Sequence, residues 1–525
     1  MIDSLIPRPV RMKITEGIFF LRPEARILAC GPCSGDLAGL LAEYLRPATG
    51  FSLPVLCGSD ILPGDILLQS AGVNPPDETG FANEHYQLFV RRDQVLLTGD
   101  NAESLARGIQ TFRQLFPPEI YNMEVRKQEW QIPCVEIEDE PAFRWRGMML
   151  DAARHFFSKN EICRMIELFA QHKINVVHLH LTDDQGWRVE IKKYPRLTEV
   201  GSIRQSTIIG HECDRPRKYE NTPYGGFYTQ EDLHEIVEFA ARRCIAVVPE
   251  IDMPGHMAAA ICAYPEWGNF PENHVPVRSH WGISWQILSP KAEVIAAMKD
   301  ILGEIMDIFP GRYIHIGGDE ARTDEWEICP EAQAIMAEHN CRSERDLQHY
   351  FTAQIQDFIQ SRGRRMIGWE EILSPSLCPE SCICSWRNKG KETEAALQCR
   401  YAVVANQRFA YFDYYQADPR YEPTAGGEFL PAEMVYQFRP LPDSLPEENR
   451  RYILGGQGQL WSEYIPSLNH LEYMAFPRSC ALAEKLWTPE RLCRWPDFLK
   501  RLHGHRLRLE QEQVHSCPVP GGRWR

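Results

Sequence analysis

From about residue 143 the chain alternates between short apolar runs of strand length and longer stretches with helical spacing. Eight runs qualify as strands: Gly147–Leu150, Ile174–Leu181, Ile245–Ile251, Tyr313–Ile316, Arg365–Gly368, Cys382–Ser385, Tyr401–Ala405 and Ile453–Leu460. Several of the intervening stretches open with helix-start signals. Ser158 to Glu161, Thr229 to Asp232 and Ser343 to Asp346 are spaced like capping boxes, and Ser289-Pro290 places a cap residue before a first-turn proline. Eight strands alternating with helices predict a (β/α)8 TIM barrel over residues 141–490.

The first 140 residues follow another rhythm. Apolar and polar positions alternate over Arg11–Leu21 and His85–Thr98, around two amphipathic helices at Ser34–Leu45 and Ala102–Phe116. Pro117-Pro118 stops the second helix, and a linking strand, Cys134–Ile137, leads into the barrel region. This predicts a small N-terminal α/β (α+β) domain over 1–140. Residues 491–525 read as a terminal helix followed by a loose tail, Cys517–Arg525.

Composition narrows the partners. A net charge of −15 argues against nucleic acid and anionic membranes, and no apolar stretch is long enough to span a bilayer. Met1 to Thr15 lacks the apolar core of a secretory signal, so the expectation is a cytoplasmic protein, or an exported one whose signal peptide is already gone. Seventeen scattered cysteines suit reduced, mostly buried thiols better than a disulfide framework. Cys30-Gly-Pro-Cys33 has metal-like spacing, but no second pair completes a zinc site.

In such barrels chemistry sits beyond the carboxyl ends of the strands. Here the first strand is followed by Asp151 and Arg154, and the second by Asp183 and Asp184. The third leads to Asp252 and His256; the fourth, through Gly317-Gly318, to Asp319-Glu320. Trp369 and Trp386 close the fifth and sixth, Tyr411 and Asp413 follow the seventh, and Trp461 and Glu463 follow the eighth. Two adjacent carboxylates past a buried strand repel one another, which lifts at least one pKa and suits a proton donor.

Four strings, Leu150–Phe157, His178–Arg188, Pro249–His256 and His315–Glu320, occur in an order and at spacings that resemble the glycoside hydrolase family 20 β-N-acetylhexosaminidases. The resemblance implies an exo-acting enzyme that removes terminal non-reducing β-linked GlcNAc or GalNAc without a cofactor or metal. Its partner would be an oligosaccharide or glycoconjugate ending in β-HexNAc, and since such barrels are often paired, a homodimer is an open expectation. The implied mechanism is retaining and substrate-assisted, with the 2-acetamido oxygen as nucleophile and an oxazolinium intermediate.

The same resemblance assigns roles. Glu320 would be the acid, then the base, and Asp319 would orient the acetamide N–H. Tyr411 would hydrogen-bond the acetamide oxygen, and Asp183 with His256 would relay charge to Glu320. Arg154 would bridge the 3- and 4-hydroxyls, and Asp413 and Glu463 would hold hydroxyls 4 and 6. Trp369, Trp386 and Trp461 would box the acetamide methyl and the ring face. Asp151, Asp184 and Asp252 read as supports, and His178, His180 and His315 as core or supporting residues.

Three alternatives compete with this reading. A zinc hydrolase could recruit His178, His180, His256, His315 and Asp319, but leaves the acid pair and the tryptophans without a job. A non-catalytic sugar-binding barrel sits badly with the intact Asp319-Glu320 and Tyr411. A family-20 enzyme releasing a disaccharide would need room beyond the terminal sugar. The turn-rich loop from Gly210 to Phe227 is expected to border the cleft.

Overall fold

The computed structural model describes residues 2–72 and 75–518, so most of the expected tail beyond Cys517 lies outside the described residues. Eight parallel strands close a barrel in chain order: Trp145–Asp151, Val176–His180, Ala246–Glu250, Tyr313–His315, Arg365–Trp369, Cys382–Ser385, Tyr401–Val404 and Ile453–Leu460. Each overlaps an expected strand, with ends shifted by at most two residues and two strands, Cys382–Ser385 and Ile453–Leu460, at the expected bounds. Apart from Ala246 at the start of the third strand their residues are buried, as befits strands covered by helices outside and packed side chains within. The fold is a TIM barrel preceded by an α/β domain.

The helix-start signals succeed where the side chain is free to turn back. Ser158 with Glu161, and Thr229 with Asp232, form reciprocal capping boxes, and Ser343 accepts from the Asp346 amide. Ser289-Pro290 does not cap. That helix starts at Ala292 with Lys291 before it, and Ser289 is buried with its Oγ unpartnered and its amide donating to the Trp267 carbonyl at 2.8 Å.

The N-terminal domain is a seven-stranded mixed sheet with Arg11–Leu21 at one edge and Val55–Cys57 at the other. The long alternation over His85–Thr98 is a hairpin of Tyr86–Val90 and Val95–Gly99, turned where Arg91 N–H donates to the Gln94 carbonyl at 2.9 Å. The linking strand is longer than expected, Trp130–Asp139. Ile27–Cys30, Val55–Cys57 and Ile66–Ser70 escaped the sequence reading, being too short to show a period. Helices Ser34–Thr49 and Ala102–Leu115 supply the core.

The terminal helix, Trp495–Gln511, ties the two units together. Arg508 donates to the Ser4 and Gln114 carbonyls, and Arg501 donates to the Leu5 carbonyl while clasping Glu484. Among the described residues every cysteine is unpaired, Cys30 and Cys33 included, and no helix is long and apolar enough to cross a membrane.

Candidate active site

The site is made by a turn only glycine permits. After Tyr313–His315, Gly317 (φ +62°) and Gly318 (φ +93°) reverse the chain. A Cβ on Gly317 would lie 1.8 Å from Asp252 Oδ1, so the Asp252 carboxylate packs against bare backbone and accepts from Gly318 N–H at 3.0 Å. Glu320 itself is held at φ +48°, a strained conformation for a side-chain-bearing residue of the kind retained at functional sites. The turn delivers Asp319 and Glu320 to the mouth of the barrel.

There they meet His256 (φ +55°), brought by the loop after the third strand. Its Nε2 stands 3.7 Å from Asp319 Oδ2 and 3.8 Å from Glu320 Oε2, while its Nδ1 meets Asp183 Oδ1 at 3.1 Å. Burial alone would depress this imidazole; Asp183, Asp252 and Asp319 instead hold it well above its ordinary range. Burial and the neighbouring Asp319 raise the Glu320 carboxyl, against the pull of His256, Arg387 and Arg154. A raised acid beside a cationic histidine can carry a proton at neutral pH and be stabilised after giving it up.

Behind this pair lies a second tier. Burial would raise Asp183, but Arg154, His256 and His180 hold it well below the usual carboxylate range. Arg154 Nη2 lies 2.7 Å from Asp183 Oδ2 and Nη1 3.1 Å from Asp151 Oδ2, with Glu463 Oε1 at 3.8 Å. Arg154 is therefore a structural ion-pair partner as well as a cavity residue. His178 and His180, the strand pair that suggested a metal, converge with His315 on Glu250. His178 Nε2 lies 2.9 Å from Oε2, His180 Nδ1 donates to Oε2 at 2.5 Å, and His315 Nδ1 stands 3.0 Å from Oε1. Trp369 Nε1 donates to Glu250 Oε1 at 2.9 Å, which fixes the indole as a wall of the site.

The opposite wall is aromatic. Tyr411 stacks near-parallel to Trp386 (6.2 Å, 16°), and Trp461 lies 5.8 Å from Trp369. Burial raises the Tyr411 hydroxyl well above its ordinary value, with Asp413 adding to it. Burial and Glu463 likewise raise Asp413, and burial dominates at Glu463.

All eleven residues singled out in the sequence line a single cavity of about 280 Å³. Asp319 Oδ1, Asp413 Oδ1 and His256 Nε2 are buried there without a hydrogen-bond partner. Native proteins rarely leave such atoms orphaned unless something else is to be bound. The cavity also takes in His180, Asp252, Gln407, Tyr414 and Gly426, which sequence reasoning had left out of the site. It missed Glu371 and Arg387 as well, although they lie two and one residues past the strand-end tryptophans Trp369 and Trp386, where the strand-end rule could have found them. The Gly210–Phe227 loop reaches the rim: His211 stacks on Tyr464 (5.2 Å, 5°), next to Glu463.

A parallel barrel whose mouth crowds two carboxylates and a tryptophan box around one cavity defines a glycoside hydrolase architecture. Residues 143–490 match the catalytic domain of glycosyl hydrolase family 20 and residues 3–140 match domain 2 of that family, so the chain belongs to glycosyl hydrolase family 20. It is 38% identical over 520 residues to a β-hexosaminidase of Porphyromonas gingivalis, covering 98% of this chain but 65% of that protein. A β-N-acetylhexosaminidase of Cellulomonas fimi is 29% identical over 513 residues, covering 96% and 93% of the two chains. Among solved structures, a Streptomyces plicatus β-hexosaminidase mutant in complex with its product GlcNAc superposes with a TM-score of 0.85 at 28% identity, covering 100% and 98%. An exo β-N-acetylglucosaminidase of Vibrio harveyi in complex with N-acetylglucosamine gives 0.85 at 30% identity, covering 99% and 79%.

Proposed function

We propose that the protein is an exo-acting β-N-acetylhexosaminidase that removes terminal β-linked GlcNAc or GalNAc by a retaining, substrate-assisted route. The observation that carries this reading is the orphaned, buried Asp319 Oδ1 beside a raised Glu320 in an aromatic-lined pocket. The cavity of about 280 Å³ lies at the small end of ordinary ligand clefts, roughly 300–1,000 Å³, which favours one sugar over a disaccharide. The product complex of the S. plicatus relative supports the same sugar.

In the first step the acetamide oxygen attacks the anomeric carbon as the glycosidic bond breaks, and Glu320 gives its proton to the leaving oxygen. Asp319 Oδ1 accepts the acetamide N–H, fixing its direction and offsetting the positive charge of the oxazolinium. An amide is a weak nucleophile, so this orientation matters as much as the charge. The Tyr411 hydroxyl donates to the acetamide oxygen, and the box of Trp369, Trp386 and Trp461 encloses the methyl. In the second step Glu320, now a carboxylate facing His256, takes a proton from water. The water opens the ring from the face the leaving group vacated, so configuration is retained. Arg154, Asp413 and Glu463 hold the remaining hydroxyls.

The test is to compare an aryl β-N-acetylglucosaminide with the matching β-glucoside. Rapid release from the first and almost none from the second is expected; comparable rates would point to an enzyme nucleophile and sink the substrate-assisted reading.

A further inference from the structure

One ion pair at the site has no role in the steps above. Trp369 leads into a short turn, Glu370–Ile372, and Trp386 is followed by Arg387. Arg387 Nη1 lies 2.7 Å from Glu371 Oε1, while Nη2 stands 3.7 Å from Glu320 Oε1. Its guanidinium lies over the Trp386 ring, 4.3 Å from the centroid. Glu371 is itself pinned: its Oε2 accepts from Trp386 Nε1 at 3.3 Å, and its carbonyl accepts from Arg345 at 2.6 Å. Glu370 Oε2 holds the backbone, accepting from the Trp386 amide at 3.1 Å.

We propose that Glu371 and Arg387 are positioning residues for Glu320: the Glu371 carboxylate tethers the Arg387 guanidinium one contact short of the acid, so that Glu320 faces a cation without being locked in an ion pair. This rests on the reading of Glu320 as acid and then base. A guanidinium in direct contact would lower a carboxyl by about 1–3 pKa units and strip Glu320 of the proton it must donate. With no cation on that side, the carboxylate formed after donation would face only Asp319 across from His256. The tether settles between these extremes. Glu320 is surrounded by Asp319, His256, Arg387 and, further off, Arg154; Glu371 is faced by Asp319 and Arg387. Burial and Asp319 lift the Glu371 carboxyl to about 7 against Arg387, so the tether gains charge through neutrality.

The experiment is the pH profile of kcat/KM on the aryl β-N-acetylglucosaminide for wild type, Glu371→Gln, Arg387→Gln and the double variant. In Glu371→Gln the freed guanidinium closes on Glu320, and the basic limb moves down by about one pH unit. In Arg387→Gln the limb moves up. The double variant keeps the upward shift of Arg387→Gln, within ~0.3 pH unit of that single variant, because without the guanidinium the Glu371 tether has nothing to release. A uniform fall in rate at all pH values with an unmoved limb would mean a merely structural pair and overturn the proposal. So would two single variants that shift the limb the same way. The pH dependence of carbodiimide labelling at Glu320, read by peptide mass spectrometry, follows its protonation without turnover. Inactive wild-type protein would therefore refute the functional reading while the labelling shifts still decide the tether.

Discussion

The two ends of the barrel both bury dense charge, and they do it differently. At the bottom, Lys173 Nζ and Asp139 Oδ2, each fully buried, pair at 2.7 Å, and Tyr86 and Trp487 donate to the same carboxylate. Nearby Glu84 sits between Arg107 and Arg146, which hold it below its ordinary range despite burial. Here each acid has at least one cation against it, and the charges join the N-terminal domain to the barrel. At the mouth, acids outnumber cations. Asp252, Glu320, Asp413 and Glu463 are all raised, and the Asp319 and Asp413 oxygens lack partners. Paired charge in the interior records assembly; unpaired charge records a ligand yet to arrive.

Breaking each end should leave a distinct signature. Glu320→Gln should cut turnover of the aryl β-N-acetylglucosaminide by about 10³–10⁴-fold, with an unchanged thermal melt. Lys173→Met strands the buried Asp139 charge and should cost about 3–5 kcal/mol of stability in urea unfolding, with kcat intact below the transition. Asp319→Asn keeps the shape but loses the orienting charge, and a fall of about 10²–10³-fold is expected; near wild-type turnover would withdraw the substrate-assisted assignment.

The smallest effect concerns histidines. At the bottom, burial pushes His172 down to about 4 and His505 well below its ordinary range, with His172 and Arg508 adding to the effect at His505. The folded state then binds fewer protons than the unfolded one between about pH 4 and 6.5. Their contribution is present above about pH 6.5 and lost as pH falls. At the mouth burial opposes ionisation of His180 and His256, but surrounding carboxylates raise both, so their contribution is present at low pH and lost as pH rises through the raised values. Melting followed from pH 7 to 4.5 should show an acid loss on the order of 1–3 kcal/mol, smaller in His505→Gln.

Much of this was legible in the chain. Buried parallel strands are continuous apolar runs, so all eight barrel strands stood out, and the strand-end rule then nominated the eleven cavity residues. What failed was local and short. Val55–Cys57 has too few residues to show a period, and the helix expected from Ser289 starts only at Ala292, leaving the buried Ser289 Oγ unpartnered. Glu371 and Arg387 were passed over because neither belongs to a motif; their meaning lies in the gap between them and Glu320.

The sequence by itself determined the barrel, its order, and which side chains stand at its mouth, because strand period and strand end are properties of neighbours along the chain. Only the tertiary structure decided the charge states. Whether Arg154 pairs with Asp183, whether His178 and His180 reach the Glu250 carboxylate, and how far Arg387 stops from Glu320 depend on distances between residues tens of positions apart. Coulomb energy and desolvation act through space, and only the folded chain sets that space.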